Sequence, residues 1–144
     1  MIVLTQKWIE RSDIQRNAGK AVYLFGDNTL RKGMGGQAGA MRGEPNAIGV
    51  ATKLTPTSGT NAYFSDNDLR YNVSVMAKDL RPAFSARESG LVVVIPEDGL
   101  GTGLSELPER APKTNEVLEH LLDLLMRGGQ PAWKTLINGH VTKQ

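Results

Sequence analysis

Cysteine is absent from the 144 residues, histidine occurs twice, aromatic residues make up 6%, and neither charge dominates, the net being +2. Without cysteine there can be no disulfide, no thiolate nucleophile and none of the usual structural zinc sites, a composition that suits a reducing compartment such as the cytoplasm. His120 and His140 stand far apart with no carboxylate pattern beside them, so no metal site is expected, and no cofactor. Seventeen basic residues against 15 acidic ones, never gathered into a stripe, disfavour generic nucleic-acid binding. No basic leader precedes an apolar run in 1–8, and no apolar stretch approaches the roughly 20 residues that cross a bilayer; neither secretion nor a membrane partner is expected. A chain of this length, 40% hydrophobic, suits one domain over 1–144.

What the chain does have is glycine, 16 residues of it, concentrated in two places that follow apolar runs. The run Ala21-Val22-Tyr23-Leu24-Phe25 is continuous rather than alternating, which predicts a strand covered on both faces and stopping at Gly26-Asp27-Asn28. A short helix is predicted over 37–42, a second central strand over 46–52 ending at Lys53, and a Thr-, Ser- and Pro-rich surface loop over 54–62. Leu69, Val73, Met76 and Leu80 fall at helical spacing, predicting a helix from Ser65 to about Phe84 that Pro82 ends or kinks. Residues 90–96 form the clearest strand and should be central, bounded as they are by glycine and proline. Thr114 is the expected cap of a helix running through Met126 to Gly128, and 133–137 is expected to be a last strand. The order predicts a three-layer α/β/α fold with a mostly parallel central sheet.

On this reading the two glycine loops, Gly33-Met34-Gly35-Gly36-Gln37-Ala38 and Gly99-Leu100-Gly101-Thr102-Gly103, both follow parallel strands at their carboxyl ends. Open α/β sheets bind ligands at that edge, and small residues let backbone N–H groups reach phosphate. Two such loops suggest a diphosphate. The first also matches the spacing of a dinucleotide fingerprint, but it starts eight positions beyond Phe25 and the next strand ends in Lys53 rather than an acid, which argues against hydride transfer. Asp27 and Asn28 either hydrogen-bond ribose hydroxyls or form an Asx turn. Lys53 is either a partly desolvated nucleophile toward a sugar carbon or a solvated strand-end lysine that neutralises phosphate. Glu106 is either a general base or a surface glutamate, and Ser105 has no histidine to activate it.

Gly-Asp-Asn followed by Gly-Met-Gly-Gly-Gln-Ala-Gly-Ala resembles the segment of the macrodomain superfamily in which an asparagine faces the distal ribose of ADP-ribose and a glycine loop opens the next helix. Residues 96–104 and the helical region after them resemble the second phosphate loop of that fold. Val50-Ala51-Thr52-Lys53 and Gly101-Thr102-Gly103-Leu104 are most similar to the branch that contains terminal ADP-ribose protein glycohydrolases. The resemblance spans 21–127. It departs from the family at Ser105, where an aspartate is expected, leaving Glu106 as the adjacent carboxylate, and at the missing adenine-contacting motif before residue 20.

The resemblance implies a macrodomain-like protein that binds ADP-ribose or a related nucleotide, free or on ADP-ribosylated macromolecules. The diphosphate would lie between Gly33–Ala38 and Gly99–Leu104, with ribose near Asp27 and Asn28, and Lys53 and Glu106 would carry any hydrolysis of an ADP-ribosyl linkage. Two rivals stand beside it: a protein that sequesters a cyclic or modified ADP-ribose intact, and an interaction module whose glycine loops are only structural.

Overall fold

The computed structural model describes residues 3–137. Its elements are β1 (Val3–Gln6), α1 (Arg11–Arg16), β2 (Ala21–Asn28), α2 (Ala38–Met41), β3 (Ala47–Lys53), α3 (Leu69–Glu88), β4 (Val92–Pro96), α4 (Leu107–Arg110), α5 (Pro112–Arg127) and α6 (Trp133–Ile137), with short 3-10 turns at Thr60–Ala62 and Asp66–Asp68. All four strands are parallel, in the order β1-β4-β2-β3. Ala21 lies opposite Val92 and Tyr23 opposite both Val94 and Ala47, so β2 and β4 form the middle of the sheet, whereas β3, expected to be central, is an edge strand paired with β2 alone.

Both faces of β2 are covered, as its unbroken apolar run implies. Tyr23 and Phe25 pack with Ile9, Ile14, Ala38 and Met41 under α1 and α2, whereas Leu24 joins Val93, Met76, Leu80, Leu118 and Leu121 under α3 and α5. Alternate residues of one strand thus serve two cores, giving helix, sheet and helix in three layers. Residues 73, 76, 77, 80, 83 and 84 of α3 are all buried at spacings of three and four, and so are 118, 121 and 125 of α5.

Several elements differ from expectation. Residues 133–137 are a helix: Trp133 meets Phe84 edge-on with ring centroids 4.9 Å apart, and Leu136 is buried against the α3–α5 layer. Five apolar-rich residues carry too little period to separate helix from strand, so tertiary packing decides. The short β1 and α1 lacked a readable pattern. Helix α3 passes through Pro82 because Ala83, Phe84 and Ala86 are anchored in the core beyond it. It ends in a Schellman motif, with Gly90 at φ +86°, Gly90 N–H donating to Arg87 and Leu91 N–H to Ala86. Gly90 therefore closes a helix rather than opening β4.

Thr114 does not cap α5. Pro112 occupies the first helical position, where a missing N–H costs nothing, and the cap comes from a distant residue. The Asp66 carboxylate accepts the N–H groups of Lys113 and Thr114 and the Thr114 hydroxyl, each at 2.9 Å. Asn72 donates to the same hydroxyl at 3.1 Å. Burial works to raise the Asp66 pKa, but these three donors outweigh it and hold the carboxyl below its ordinary value. A carboxylate depressed in the folded state stabilises above its unfolded pKa near 4, and that contribution fades as pH falls through the folded value. Asp66→Ala is therefore expected to cost about 1–2 kcal/mol at pH 7. In urea unfolding, the gap from the parent chain should narrow steadily below about pH 4; a gap that stays constant would contradict this role.

Candidate functional site

The geometry of the carboxyl edge starts from Asp27, a carboxylate within an apolar strand. Its side chain is only 4% exposed and is neutralised by Arg42 at 2.5 Å, with Arg31 at 3.6 Å. It also accepts the Asn28 N–H at 2.8 Å. Arg42 reaches further: its Nε donates to the Gly33 carbonyl at 2.8 Å and a terminal nitrogen to the Lys32 carbonyl at 3.2 Å. Asn28 completes the turn, its amide donating to Lys32 at 2.7 Å and its oxygen accepting from Leu30 N–H at 3.1 Å. Asp27 and Asn28 thus have protein partners, and the Asx turn is formed.

One consequence concerns the amides that follow. The carbonyls of Lys32 and Gly33 are turned toward Arg42, while among the described residues the backbone N–H groups from Gly33 through Ala38 donate to no protein acceptor. The loop approaches α2 very closely: a Cβ on Gly39 would lie 2.7 Å from the Met34 carbonyl oxygen. Gln37 has a different task from ligand contact through its side chain, which brackets Ile9 by accepting its N–H at 2.9 Å and donating to its carbonyl at 3.0 Å.

The second loop has the same character. Gly99 N–H donates to Pro96, the Thr102 hydroxyl to Asp98, and Leu107 N–H to Gly101, folding the chain back on itself. Gly101, at φ +82°, is buried so tightly that a Cβ would lie 3.1 Å from that of Leu107. Among the described residues the N–H groups from Leu100 through Ser105 also donate to no protein acceptor.

Both loops line one cavity of about 540 Å³, together with Lys7, Trp8, Gly26 and Pro96. Its size falls within the usual range for small-molecule sites. Residues 35–37 form part of one wall and 98–105 part of another. A second cavity of about 170 Å³ is lined by Asp27, Asn28, Gly33, Ala38, Arg42 and Lys53 among others, and the two share Gly26, Gly35, Leu104 and Ser105. Leu104, 68% exposed, lies over Gly35, whose Cβ would come within 2.9 Å of its Cδ1.

The two candidate catalytic groups stand apart from this arrangement to different degrees. Lys53 ends β3 and lines the smaller cavity, but its ammonium donates to the Thr57 carbonyl at 2.8 Å and lies 4.5 Å from the centre of the Tyr63 ring. Burial lowers its pKa, with Arg110 adding to the effect and Glu106 opposing it. Glu106 lines neither cavity; it is half-exposed, adopts φ +48° and pairs with Arg110 at 3.2 Å. Arg110 itself covers the other partner of Lys53, lying 3.6 Å from the Tyr63 ring centre.

Sequence reasoning missed Arg42 and Trp8 and weighed Ser105 only as a nucleophile. Arg42 organises the first loop, and the available signal was a carboxylate in an apolar strand, which demands a cation. Ser105 is buried and its hydroxyl lies 2.5 Å from that of Thr52, at the junction of the cavities. Trp8 was read only as part of a segment without a leader. Because removing Arg42 would leave the buried Asp27 carboxylate with only the longer Arg31 pair and the Asn28 N–H, and would free two loop carbonyls, Arg42→Ala is expected to destabilise the fold by about 1–3 kcal/mol in urea unfolding. A change below about 0.5 kcal/mol would show that the ion pair does not organise the edge.

No curated protein and no solved structure matches the chain. The model of a family of unknown function, DUF7831, matches residues 4–121, a span that contains both glycine loops, Lys53 and the strands that carry them. The chain belongs to the DUF7831 family.

Proposed function

We propose that this protein is a macrodomain-like holder of ADP-ribose or a related nucleotide, with its diphosphate seated between the two glycine loops. The observation that carries the reading is the pair of free amide runs, from 33 through 38 and from 100 through 105: residues 35–37 of the first and all of the second border the larger cavity, and 33, 34 and 38 border the smaller one that adjoins it. Backbone N–H groups around left-handed glycines form anion-binding concavities, and here Gly33, Gly36, Gly99 and Gly101 all have positive φ. An anion with two linked phosphates matches two such concavities better than a single phosphate would. Lys32 and Lys53 add positive charge on the smaller cavity, where Arg42 is paired with Asp27; on the larger one Lys7 is balanced by Asp98, so the amides carry the attraction there. The expected setting is cytoplasmic, and ADP-ribosylated macromolecules would reach the same cavity through the distal ribose.

The same geometry favours holding the ligand over cleaving it. The Lys53 ammonium already has a carbonyl and an aromatic partner, Glu106 is turned to Arg110, and Ser105 has only Thr52 beside its hydroxyl. Sequestration of an intact nucleotide signal fits these facts as a second reading. In single-turnover assays on ADP-ribosylated peptide, little or no cleavage is expected; robust cleavage abolished by Lys53→Ala would restore the hydrolase.

Gly103 offers a direct test of the phosphate seat, since a Cβ there meets nothing within 4 Å and its backbone is not left-handed. Gly103→Asp should fold normally and place a carboxylate beside the seat. Calorimetry with ADP-ribose is expected to show at least about tenfold weaker binding than the parent chain, with Gly103→Ala close to the parent. Equal affinity in all three would remove the diphosphate from this loop, and no heat with ADP-ribose, NAD or cyclic ADP-ribose would leave an interaction module.

A further inference from the structure

We infer that Trp8 is the platform on which the heteroaromatic base of the bound nucleotide stacks, an inference that rests on the nucleotide reading above and names the part of the ligand the loops do not hold. Trp8 lines the larger cavity beside both glycine loops, yet it is 55% exposed. Among the described residues its ring packs against no other ring, and its indole N–H has no protein acceptor. Trp133 is the contrast: it meets Phe84 and Arg81 and donates to Gln130. One tryptophan is used by the fold, and the other is left open at the cavity.

The backbone beneath the open indole is fixed. Ile9, the next residue, is fully buried and is bracketed by the Gln37 side chain on both its N–H and its carbonyl. The Trp8 carbonyl accepts from the Gln6 amide at 3.0 Å, and Gln6 also donates to Asp13, which closes the capping box of α1. An exposed indole on a mobile tail can fold back onto apolar surface; one anchored on both sides keeps its face available. Gln37 also belongs to the first glycine loop, so the backbone that carries the indole is tied to the loop by a pair of hydrogen bonds. That is the requirement for a ligand with an aromatic group at a fixed separation from an anionic one. A base supplies a π-face of matching size, and aromatic stacking tolerates any base identity.

The test compares ADP-ribose with inorganic pyrophosphate, which lacks the base, on the full chain by calorimetry. Trp8→Ala should weaken ADP-ribose binding by about tenfold or more and leave pyrophosphate binding unchanged, while Trp8→Phe should retain most of the affinity. In a Trp133→Phe chain, where Trp8 is the remaining tryptophan, ADP-ribose should quench the emission and pyrophosphate should not. Undiminished ADP-ribose binding by Trp8→Ala, or an equal loss for both ligands, would overturn the stacking role while leaving the phosphate seat in place. A parent chain that binds neither ligand would overturn the nucleotide reading itself, and the platform with it.

Discussion

The site depends on a topological constraint: β2 and β4 are parallel neighbours whose outgoing chains leave for opposite faces of the sheet. After β2 the chain runs to α2, which packs with Tyr23 and Phe25 on one side. After β4 it runs to α4 and α5, whose leucines pack with Leu24 and Val93 on the other. Two diverging connections above adjacent strands cannot cover the strand ends between them, and the crevice they leave is where open α/β sheets place ligands. The larger cavity, with Gly26 at the end of one strand and Pro96 at the end of the other, is that crevice.

Within the crevice, backbone rather than side-chain chemistry is on offer. The polar side chains at the edge are largely engaged with each other: Asp27 with Arg42 and Arg31, Asn28 with its own turn, Thr52 with Ser105 and Lys53 with Thr57. Such internal pairing satisfies groups that burial would otherwise penalise. It also orients the loops, because Arg42 draws two carbonyls inward and leaves the succeeding N–H groups for something else. The result is a run of open backbone N–H groups, with Lys7 and Asp98 on the larger cavity and Lys32 on the smaller as the charged side chains outside these pairings.

Much of the central architecture was legible in the residues. The continuous apolar runs of β2 and β4 identified them as covered strands, and their placement at the centre of a parallel sheet followed from that pattern. The glycine loops were visible for the same reason, since they interrupt apolar segments. Long-range pairing was not legible. Nothing local connects Asp66 to Lys113 and Thr114, or Gln37 to Ile9, so the cap of α5 and the anchoring of the Trp8 segment were both invisible. Short elements failed too: four residues in β1 and five in α6 are too few for a period to declare itself, and their neighbours decide their form.

The central claim is that amides of both loops bind one diphosphate, and amide ¹H–¹⁵N spectra recorded while ADP-ribose is added test it most directly. Large, saturable shifts are expected together at Gly33–Ala38 and at Leu100–Ser105, with those in α3 and α5 nearly still. Shifts confined to one loop, or absent from both at millimolar ligand, would contradict the account.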